Sequence, residues 1–344
     1  VSISQSTISN NGLSVYGTGI FMVQGSTLDV TNSILYSNSY GDDDFEIGFD
    51  LGYDPNSVTV SYSNIGSVNT NDNGTIDFGD GYISVDPQFV DYDNGDYSLM
   101  ASSPCINGGN PETELDADGT IADMGNSPHL NDYSGPDWYV DQVAGSATAG
   151  TGEIGSTFAS ISAALLWSGD GHTINVGPGT YYEHLEITHD ISLIGTDGPE
   201  ATIISGNDPE HQNGTVRLIH LNNAGPDGQI DGETLINGFT LRDNYGGGIE
   251  TYAPSGDVTF SNLIIENNKA VNHGGGMLLA LIDIDGQYHI NDVTISENIG
   301  GRAGGGIYLA RAGEVNMTNC TISNNRTENA MASSPQGGAG IYIS

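Results

Sequence analysis

Oxygen-bearing side chains recur at regular intervals in the stretch NTNDNGTIDFGD, residues 69 to 80. They occupy its first, third, fifth, ninth and twelfth positions: Asn69, Asn71, Asn73, Asp77 and Asp80. Carboxylate and amide oxygens are the ligands that Ca²⁺ prefers, and Gly74 supplies the sharp turn that such a loop needs. The spacing predicts a calcium site, with an ordinary Asn/Gly turn as the alternative.

Three further acids, Asp116, Asp118 and Asp123, lie close together in the segment DADGTIAD. Their carboxylates either hold a calcium ion or cap turns by accepting backbone hydrogen bonds, and the sequence leaves both alternatives open. The histidines show no metal-binding spacing such as HExxH, and Cys105 and Cys320 lie too far apart in sequence for a zinc motif. Calcium is therefore the one cofactor that the sequence predicts.

The residue types in the sequence give little indication of a catalytic site. The chain has 6 basic residues, and their positions indicate no convergent cluster that would abstract a proton or bind an anionic sugar. With 44 acidic residues, carboxylate pairs at hydrolase spacing arise by chance and carry little information. The sequence predicts no catalytic residue.

The segment from Gly246 to Ser344 is repetitive. Glycine-led units begin at Gly246, Gly274, Gly304 and Gly337, and within each unit apolar and polar residues alternate as they do in β-strands. Repeats of this length indicate a solenoid in which each unit stacks on its neighbour. Asparagines at one phase of the repeat are predicted to form an inward-facing ladder: Asn244, Asn268, Asn298 and Asn325.

The two ends of the sequence complement each other. The final GGAGIYIS followed by the initial VSISQSTISNN makes a unit of the same length and phase as its neighbours, with Asn11 at the ladder position. We therefore expect this stretch to be one period of an array. A strand at the open end of a stack is a template for a further strand, so the expected partner is a second copy joined head to tail.

Charge limits the possible partners and surroundings. A formal net charge of -38 repels nucleic acid and anionic membrane surfaces and attracts hard cations. No apolar run reaches the roughly 18 residues of a membrane-spanning helix, and two cysteines make no disulfide framework. The sequence predicts a mature extracellular or cell-surface segment without a membrane span.

Two resemblances to known families refine this interpretation. The motifs DPQFVD, GDYSL, SPCINGG and DADGTIADMG between residues 86 and 131 resemble the terminal module of bacterial surface β-helix proteins of the choice-of-anchor Q type. The resemblance implies a plug over the solenoid end, with Phe89, Leu99 and Ile106 covering exposed strands. The 69–80 segment resembles the calcium loops of EF-hand and dockerin repeats, although it begins with Asn in place of Asp and no helix pattern precedes it.

Residues 138 to 344 resemble pectin-lyase-like right-handed β-helices, which open with a short amphipathic helix and a VxPGTYxE turn. Here that turn is Val176–Glu183, and the helix is predicted around Phe158, Ile161, Leu165 and Leu166, after the candidate N-caps Ser156 and Thr157 and before Gly169. The resemblance implies the fold but no particular activity, because lyases, hydrolases, adhesins and passive stalks share it.

These observations predict an all-β chain, a right-handed parallel β-helix (β-solenoid) in two solenoid segments separated by a cap and a linker. The segments are β-helix coils over 1–85, a terminal cap module over 86–131, a linker over 132–155, and a helix cap with the coils of a second β-helix over 156–344. The predicted function is a structural extracellular surface protein that forms a stalk or filament by head-to-tail continuation. The alternatives are an adhesin that binds extracellular polysaccharide, and a polysaccharide lyase or hydrolase.

Overall fold

The computed structural model describes residues 1–12, 19–38, 45–49, 54–68, 74–207, 216–222, 230–252, 254–280, 286–311, 313–328 and 337–344. Their regular structure is nearly all β, in long parallel sheets. The chain forms two compact units. One comprises Val1–Asp132 with Ala147–Ala149, and the other comprises Tyr133–Ser146 with Gly150–Ser344.

The first unit consists of three parallel sheets and one antiparallel pair. Its strands are β1 (Ser2–Ser4), β2 (Thr7–Ser9), β3 (Ile20–Met22), β4 (Thr27–Thr31), β5 (Ile34–Tyr36), β6 (Ile47–Phe49), β7 (Asn56–Ser61), β8 (Asn64–Ile65), β9 (Gly74–Phe78), β10 (Phe89–Asp91) and β11 (Asp96–Leu99). The parallel orders are β1-β4-β7-β9, β2-β5-β8 and β3-β6, while β10 pairs antiparallel with β11. Each parallel sheet takes one strand from each successive repeat.

The second unit follows the same plan with more repeats. It contains β12 (Asp137–Val140), the helix α1 (Ile161–Trp167), β13 (His172–Val176), β14 (Gly179–Tyr181), β15 (Leu185–Ile187), β16 (Ile191–Gly195), β17 (Thr202–Ser205), β18 (Ile219–Asn222), β19 (Glu233–Asn237), β20 (Thr240–Arg242), β21 (Ile249–Tyr252), β22 (Asp257–Glu266), β23 (Lys269–Ala270), β24 (Met277–Ala280), β25 (Gln287–Ser296), β26 (Ile299–Gly300), β27 (Ile307–Ala310), β28 (Glu314–Thr318), β29 (Thr321–Ser323), β30 (Arg326–Thr327) and β31 (Ile341–Ile343). One large sheet runs from β12 through β13, β16, β19, β22 and β25 to β28 and β29. A second has the order β15-β18-β21-β24-β27-β31, and a third β23-β26-β30.

Burial follows the alternation in the sequence. In β22 and β25 alternate residues are buried on each side of a central corner at Asn262 or Asp292, because successive side chains of a strand point to opposite faces of the sheet. Parallel register then aligns inward residues of successive repeats, so Ile236, Phe260 and Ile290 form one buried column. Such columns supply the apolar burial that stabilises the unit.

Corners within the long strands β22 and β25, and between shorter strands such as β28 and β29, are made by residues with left-handed backbone conformations. Asn262, Asp292 and Asn319 occupy one corner with φ of 50°, 57° and 54°, at the same point of three successive repeats. Asparagine and aspartate tolerate this region better than other residues with side chains. Asparagine and aspartate thus share this corner position.

The glycine triplets stand where neighbouring repeats come into backbone contact. A Cβ on Gly275 would lie 2.5 Å from the Gly305 carbonyl oxygen, and one on Gly248 would lie 2.5 Å from that of Gly276. These obstacles are backbone atoms held by the sheet, which cannot move aside. Glycine is therefore required in each stacked repeat.

Part of the segment predicted as a linker, 132–155, belongs to the sheet instead. β12 pairs in parallel with β13, and its Trp138 and Val140 are buried. Phe158, predicted in the helix, is extended and buried, with its ring stacked on Trp138 at 6.1 Å. The glycines and serines around these residues resemble a linker in composition, but two large aromatic side chains give the segment an apolar core of its own.

The helix α1 is confirmed but begins later than predicted. Its N-cap is Ser160, whose hydroxyl accepts a hydrogen bond from the Ala163 N–H, in place of Ser156 or Thr157. The carboxylate of Glu183 accepts hydrogen bonds from the N–H groups of Ile161 and Ser162 at 2.9 and 2.8 Å, and from the Ser162 hydroxyl at 2.6 Å. Glu183, the last residue of the VxPGTYxE turn, thus anchors the helix to the connection between β14 and β15.

The 86–131 module packs along a sheet as well as burying its predicted apolar residues. Phe89, Leu99 and Ile106 are buried as expected. The module also contacts three successive repeats, since the Gly125 N–H donates to the Asn32 carbonyl at 2.9 Å, the Asn126 N–H to the Thr7 hydroxyl, and Asn64 to Cys105 Sγ. It therefore covers the side of the sheet β2-β5-β8, which the prediction of an end plug did not include.

Candidate functional site

Only the second half of the predicted calcium segment, 69–80, can be placed. Asn69, Asn71 and Asn73 lie outside the described residues. Asp77 lies in β9 opposite Thr59, with its side chain exposed. Asp80 is exposed in the turn after β9. The two described carboxylates of this group therefore lie on and just beyond a regular strand.

The second predicted calcium group is engaged by the backbone of its own loop. Asp116 accepts a hydrogen bond from the Asp123 N–H at 2.9 Å, and Asp118 accepts two from backbone N–H groups at 3.1 and 2.9 Å. Asp123 accepts two more, at 2.7 and 2.6 Å. Burial raises the pKa of Asp123 to about 6, against the opposing effect of these two donors. The three carboxylates have the geometry of turn caps, the second of the two alternatives.

Within the described ranges, no three His, Cys, Asp or Glu side chains are grouped so that they could hold a metal ion. One oxygen of Asp116 and both oxygens of Asp118 and of Asp123 accept hydrogen bonds from backbone N–H groups. The contacts that these three carboxylates make among the described residues are those of turn caps.

An acidic groove of about 770 Å³ lies at the amino ends of the strands of the large sheet in the second unit. Its polar lining is carboxylate, hydroxyl and imidazole: Asp170, Asp190, Ser192, Glu233, Thr234, Asp257, Thr259 and His289. A groove with this lining attracts cations and offers hydrogen-bond acceptors to the hydroxyl groups of a neutral ligand.

Asp190 is the most buried acid of the groove. It accepts hydrogen bonds from the Gly232 N–H at 2.8 Å and from the Thr234 hydroxyl at 3.3 Å. Burial raises its pKa, and the charge of Asp170 acts in the same direction. Glu233 lies directly opposite Asp257 on the neighbouring strand, an arrangement of like charges that destabilises the sheet locally.

The residues that line the groove were not predicted from the sequence as site residues. Register places Asp190, Glu233 and Asp257 at equivalent positions of three successive strands. The sequence therefore contained one sign of the groove, an acidic residue at the same position of successive repeats. That sign is hard to recognise in a chain with 44 acidic residues. The groove depends on strand register, which composition does not reveal.

An aromatic stack runs along the other main sheet of the second unit. His273 stacks on Tyr308 with ring centroids 4.4 Å apart, and Tyr308 stacks on Tyr342 at 5.2 Å and 9°. The facing sides of the His273, Tyr308 and Tyr342 rings therefore cover one another. A sugar would need an open ring face, so the stack serves cohesion between repeats better than carbohydrate binding.

The predicted asparagine ladder is confirmed in the second unit. The N–H groups of Asn244, Asn268 and Asn298 each donate to the side-chain oxygen of the asparagine one repeat later, at 3.1, 3.0 and 2.9 Å, ending on Asn325. Side-chain amides of the ladder donate back to backbone carbonyls of the preceding repeat at 2.8 to 3.0 Å. Each buried asparagine is thereby paired on both sides.

The first unit contains the same ladder. The Asn11 N–H donates to Asn38 Oδ1 at 3.0 Å, and the Asn38 side-chain amide donates to the Ile8 carbonyl at 2.8 Å. The buried carboxylate of Glu46 follows Asn38 and accepts hydrogen bonds from its backbone and side-chain N–H groups. Glu46 thus takes the place of a further asparagine.

The outermost strands expose side chains that are buried in inner repeats. Ile343 of β31 is 75 % exposed, whereas its register partner Leu309 is 8 % exposed. Met317 of β28 is half-buried, in contrast to the fully buried Ile290 beside it. In the first unit, Ile3 of β1 is likewise half-buried next to the buried Val30. Each outermost repeat therefore presents a row of apolar side chains.

Most of the basic side chains with described contacts form ion pairs on the second unit. Arg242 and Glu266 are register neighbours on adjacent strands, but the Arg242 ion pair is with Asp243 at 3.5 Å. Lys269 lies 2.9 Å from Glu328. Arg217 is buried, 3.5 Å from Glu250, and donates to the carbonyl oxygens at the Gly274 turn.

No protein-family model, curated protein or solved structure matches this chain. None of the helices in the described part of the chain has both the length and the apolar character needed to cross a membrane.

Proposed function

We propose that this chain is a structural extracellular surface protein, built from right-handed parallel β-helix segments of the pectin-lyase-like kind, that forms a stalk or filament. Successive units continue head to tail, either in a longer polypeptide or between separate chains. The observation that carries the proposal is the row of apolar side chains on the outermost strands. Rows of this kind, next to unpaired strand edges, are covered by a further strand in stable assemblies.

Charge supports the same proposal. Strands β1, β2, β3, β29 and β31 contain no charged side chain, and β28 contains only Glu314. In a chain of net charge -38, uncharged surfaces are where two copies meet with the least repulsion. A contact between two different surfaces of the same chain is heterologous, and it closes into a ring or continues as a fibre.

Sedimentation velocity over a wide concentration range, with electron microscopy of the same samples, tests this proposal. Wild-type protein is expected to assemble, and Ile343→Lys to remain a monomer, since a charge at an open strand edge blocks pairing. Val143→Lys is the matched control, because Val143 is 89 % exposed but lies outside the outermost strands. Wild-type protein that stays monomeric at every concentration contradicts the proposal.

Polysaccharide binding at the acidic groove is the second candidate, favoured by its carboxylate and hydroxyl lining. Because the lining is acidic, the expected ligand is a neutral oligosaccharide and not a polyuronate. Glu233→Gln with Asp257→Asn should weaken binding in calorimetry, while Glu186→Gln, on another sheet, should not. Unchanged affinity in the groove variant would remove this candidate.

Calcium is proposed only for the 69–80 segment, since Asp116, Asp118 and Asp123 are engaged as turn caps. Chelation is expected to increase proteolysis of this loop before the sheets unfold, because the strands are held by their own hydrogen bonds. Asp80→Asn should abolish the effect of calcium and Asp116→Asn should preserve it. Identical protease sensitivity with calcium and with chelator would show that the segment binds no calcium.

A further inference from the structure

We infer that the head-to-tail contact has one defined register, in which β1, β2 and β3 of a second copy lie on β28, β29 and β31. This inference rests on the proposed function and adds the identity of the paired residues. The same contact would join consecutive units of a longer polypeptide.

Backbone geometry is the first support for this register. Residues 316–325 match residues 2–11 position for position, with left-handed corners at equivalent places. Gln5 and Asn10 have φ of 44° and 58°, while Asn319 and Asn324 have φ of 54° and 56°. The two outermost repeats therefore have the same bends at the same spacing, as strands that stack in parallel must.

The asparagine ladder is the second support, because its hydrogen bonds have a direction. Each ladder N–H donates to the asparagine of the following repeat, and Asn325 is the last acceptor in the second unit. Asn11 is the first donor in the first unit. Among the described residues, neither the Asn325 N–H nor Asn11 Oδ1 has a hydrogen-bond partner. In the proposed register, the Asn325 N–H of one copy donates to Asn11 Oδ1 of the second copy.

A column of small polar side chains is the third support. Ser6 N–H donates to Ser33 Oγ at 3.2 Å, and Ser33 N–H donates to Ser63 Oγ at 3.1 Å. Each of these hydroxyls also donates to the carbonyl two residues earlier, at 2.8 Å. Cys320 occupies the same position in its repeat, with Sγ 3.3 Å from the Thr318 carbonyl. In the proposed register, Cys320 therefore precedes Ser6 of the second copy in this column.

The position of Cys320 provides a direct test. Paired residues on neighbouring parallel strands are about 4.8 Å apart, a Cα separation that a disulfide accommodates. The variant Ser6→Cys should form a disulfide with Cys320 of the next copy when oxidised glutathione accepts the two hydrogens. Non-reducing electrophoresis should then show a ladder of covalent oligomers.

Two variants serve as controls, each compared with the wild type in melting temperature under reducing conditions. Ser6→Cys with Cys320→Ser should give no ladder, because one thiol of the pair is missing. Ser9→Cys should give no ladder either. Its register partner is Ser323, which lies three residues beyond Cys320 along the strand, so the two thiols do not meet. Cys105 is buried and common to all variants.

The outcomes separate this inference from the proposed function. Assembly in sedimentation without a Ser6→Cys ladder, or with a ladder from Ser9→Cys instead, would overturn the register while leaving head-to-tail assembly in place. Absence of assembly in the wild type would overturn both. A ladder specific to Ser6→Cys that disappears with Cys320→Ser would establish the register.

Discussion

Single buried polar side chains hold neighbouring repeats in alignment. Asn298 is fully buried, donates to the Ile265 carbonyl and to Asn325, and accepts from Asn268. Removing the side chain leaves several buried groups without partners, which costs free energy for each of them. The ladder is consequently more sensitive to substitution than exposed asparagines on the same strands.

The variant Asn298→Ala should lower the free energy of unfolding by about 1 to 3 kcal/mol. Asn316→Ala, at an exposed position of β28, should change it by less than about 0.5 kcal/mol. Midpoints of urea unfolding measure the difference. Equal midpoints for the two variants would mean that the ladder contributes no more than a surface contact.

Asp123 makes stability depend on pH. Its folded pKa of about 6 lies above the ordinary value of 3.8, so the folded state binds its proton more tightly than the unfolded state does. Its contribution is therefore fully present below about pH 4 and is lost as the pH rises through about 6. Asp123→Asn should lack this contribution, which we expect to see as a difference between the pH profiles of the melting temperature for the two proteins.

At the scale of elements, the helix α1 depends on a residue from the sheet. Glu183 satisfies the first two N–H groups of a helix of seven residues, too short to be stable alone. Burial raises the pKa of Glu183 while its three donors oppose that shift. One carboxylate therefore fixes both the start and the position of the helix.

Substitution of Glu183 should accordingly loosen the helix before the sheets. Glu183→Ala is expected to increase hydrogen exchange at residues 161–167, and Glu183→Gln to increase it less, because the amide oxygen can still accept. Exchange within β22 and β25 provides the internal reference. Equal exchange in the Ala variant and the wild type would show that Ser160 alone caps the helix.

At the scale of the whole molecule, the proposed assembly would give one glycine a role that it does not have in the single chain. A Cβ on Gly306 would lie 2.6 Å from the carbonyl oxygen of Gly340, which occupies the same position one repeat later. A Cβ on Gly340 would meet only a methyl group of Ile322, at 3.7 Å. A further repeat stacked on β31 would place a carbonyl beside Gly340 as well.

The paired variants Gly306→Ala and Gly340→Ala should therefore behave differently. Gly306→Ala should lower the melting temperature of the single chain. Gly340→Ala should leave the melting temperature of the dilute protein unchanged and weaken its assembly in sedimentation. Assembly of Gly340→Ala at wild-type strength would argue against stacking on β31.

The sequence alone determined the features that repeat along the chain. Alternating apolar residues gave the strands and their buried faces, the recurring asparagines gave the ladder, and the glycine triplets marked the close turns. These features could be predicted because strand periodicity and left-handed corners are local properties of the chain. A local pattern that is weak in one repeat becomes recognisable when it recurs in several repeats. The short helix was also predicted, although its true N-cap, Ser160, had two equally suitable competitors nearby.

Only the tertiary structure decided which side chains become neighbours across repeats. Register brought Asp190, Glu233 and Asp257 into one groove, paired Arg242 with Asp243 in place of Glu266, and recruited Trp138 from an apparent linker into the first strand of the large sheet. It also turned Asp116, Asp118 and Asp123 into turn caps. The physical reason is that contacts between repeats depend on strand register. Register is set by the path that the chain takes through every intervening turn, and the sequence shows the number of residues in a turn but not that path.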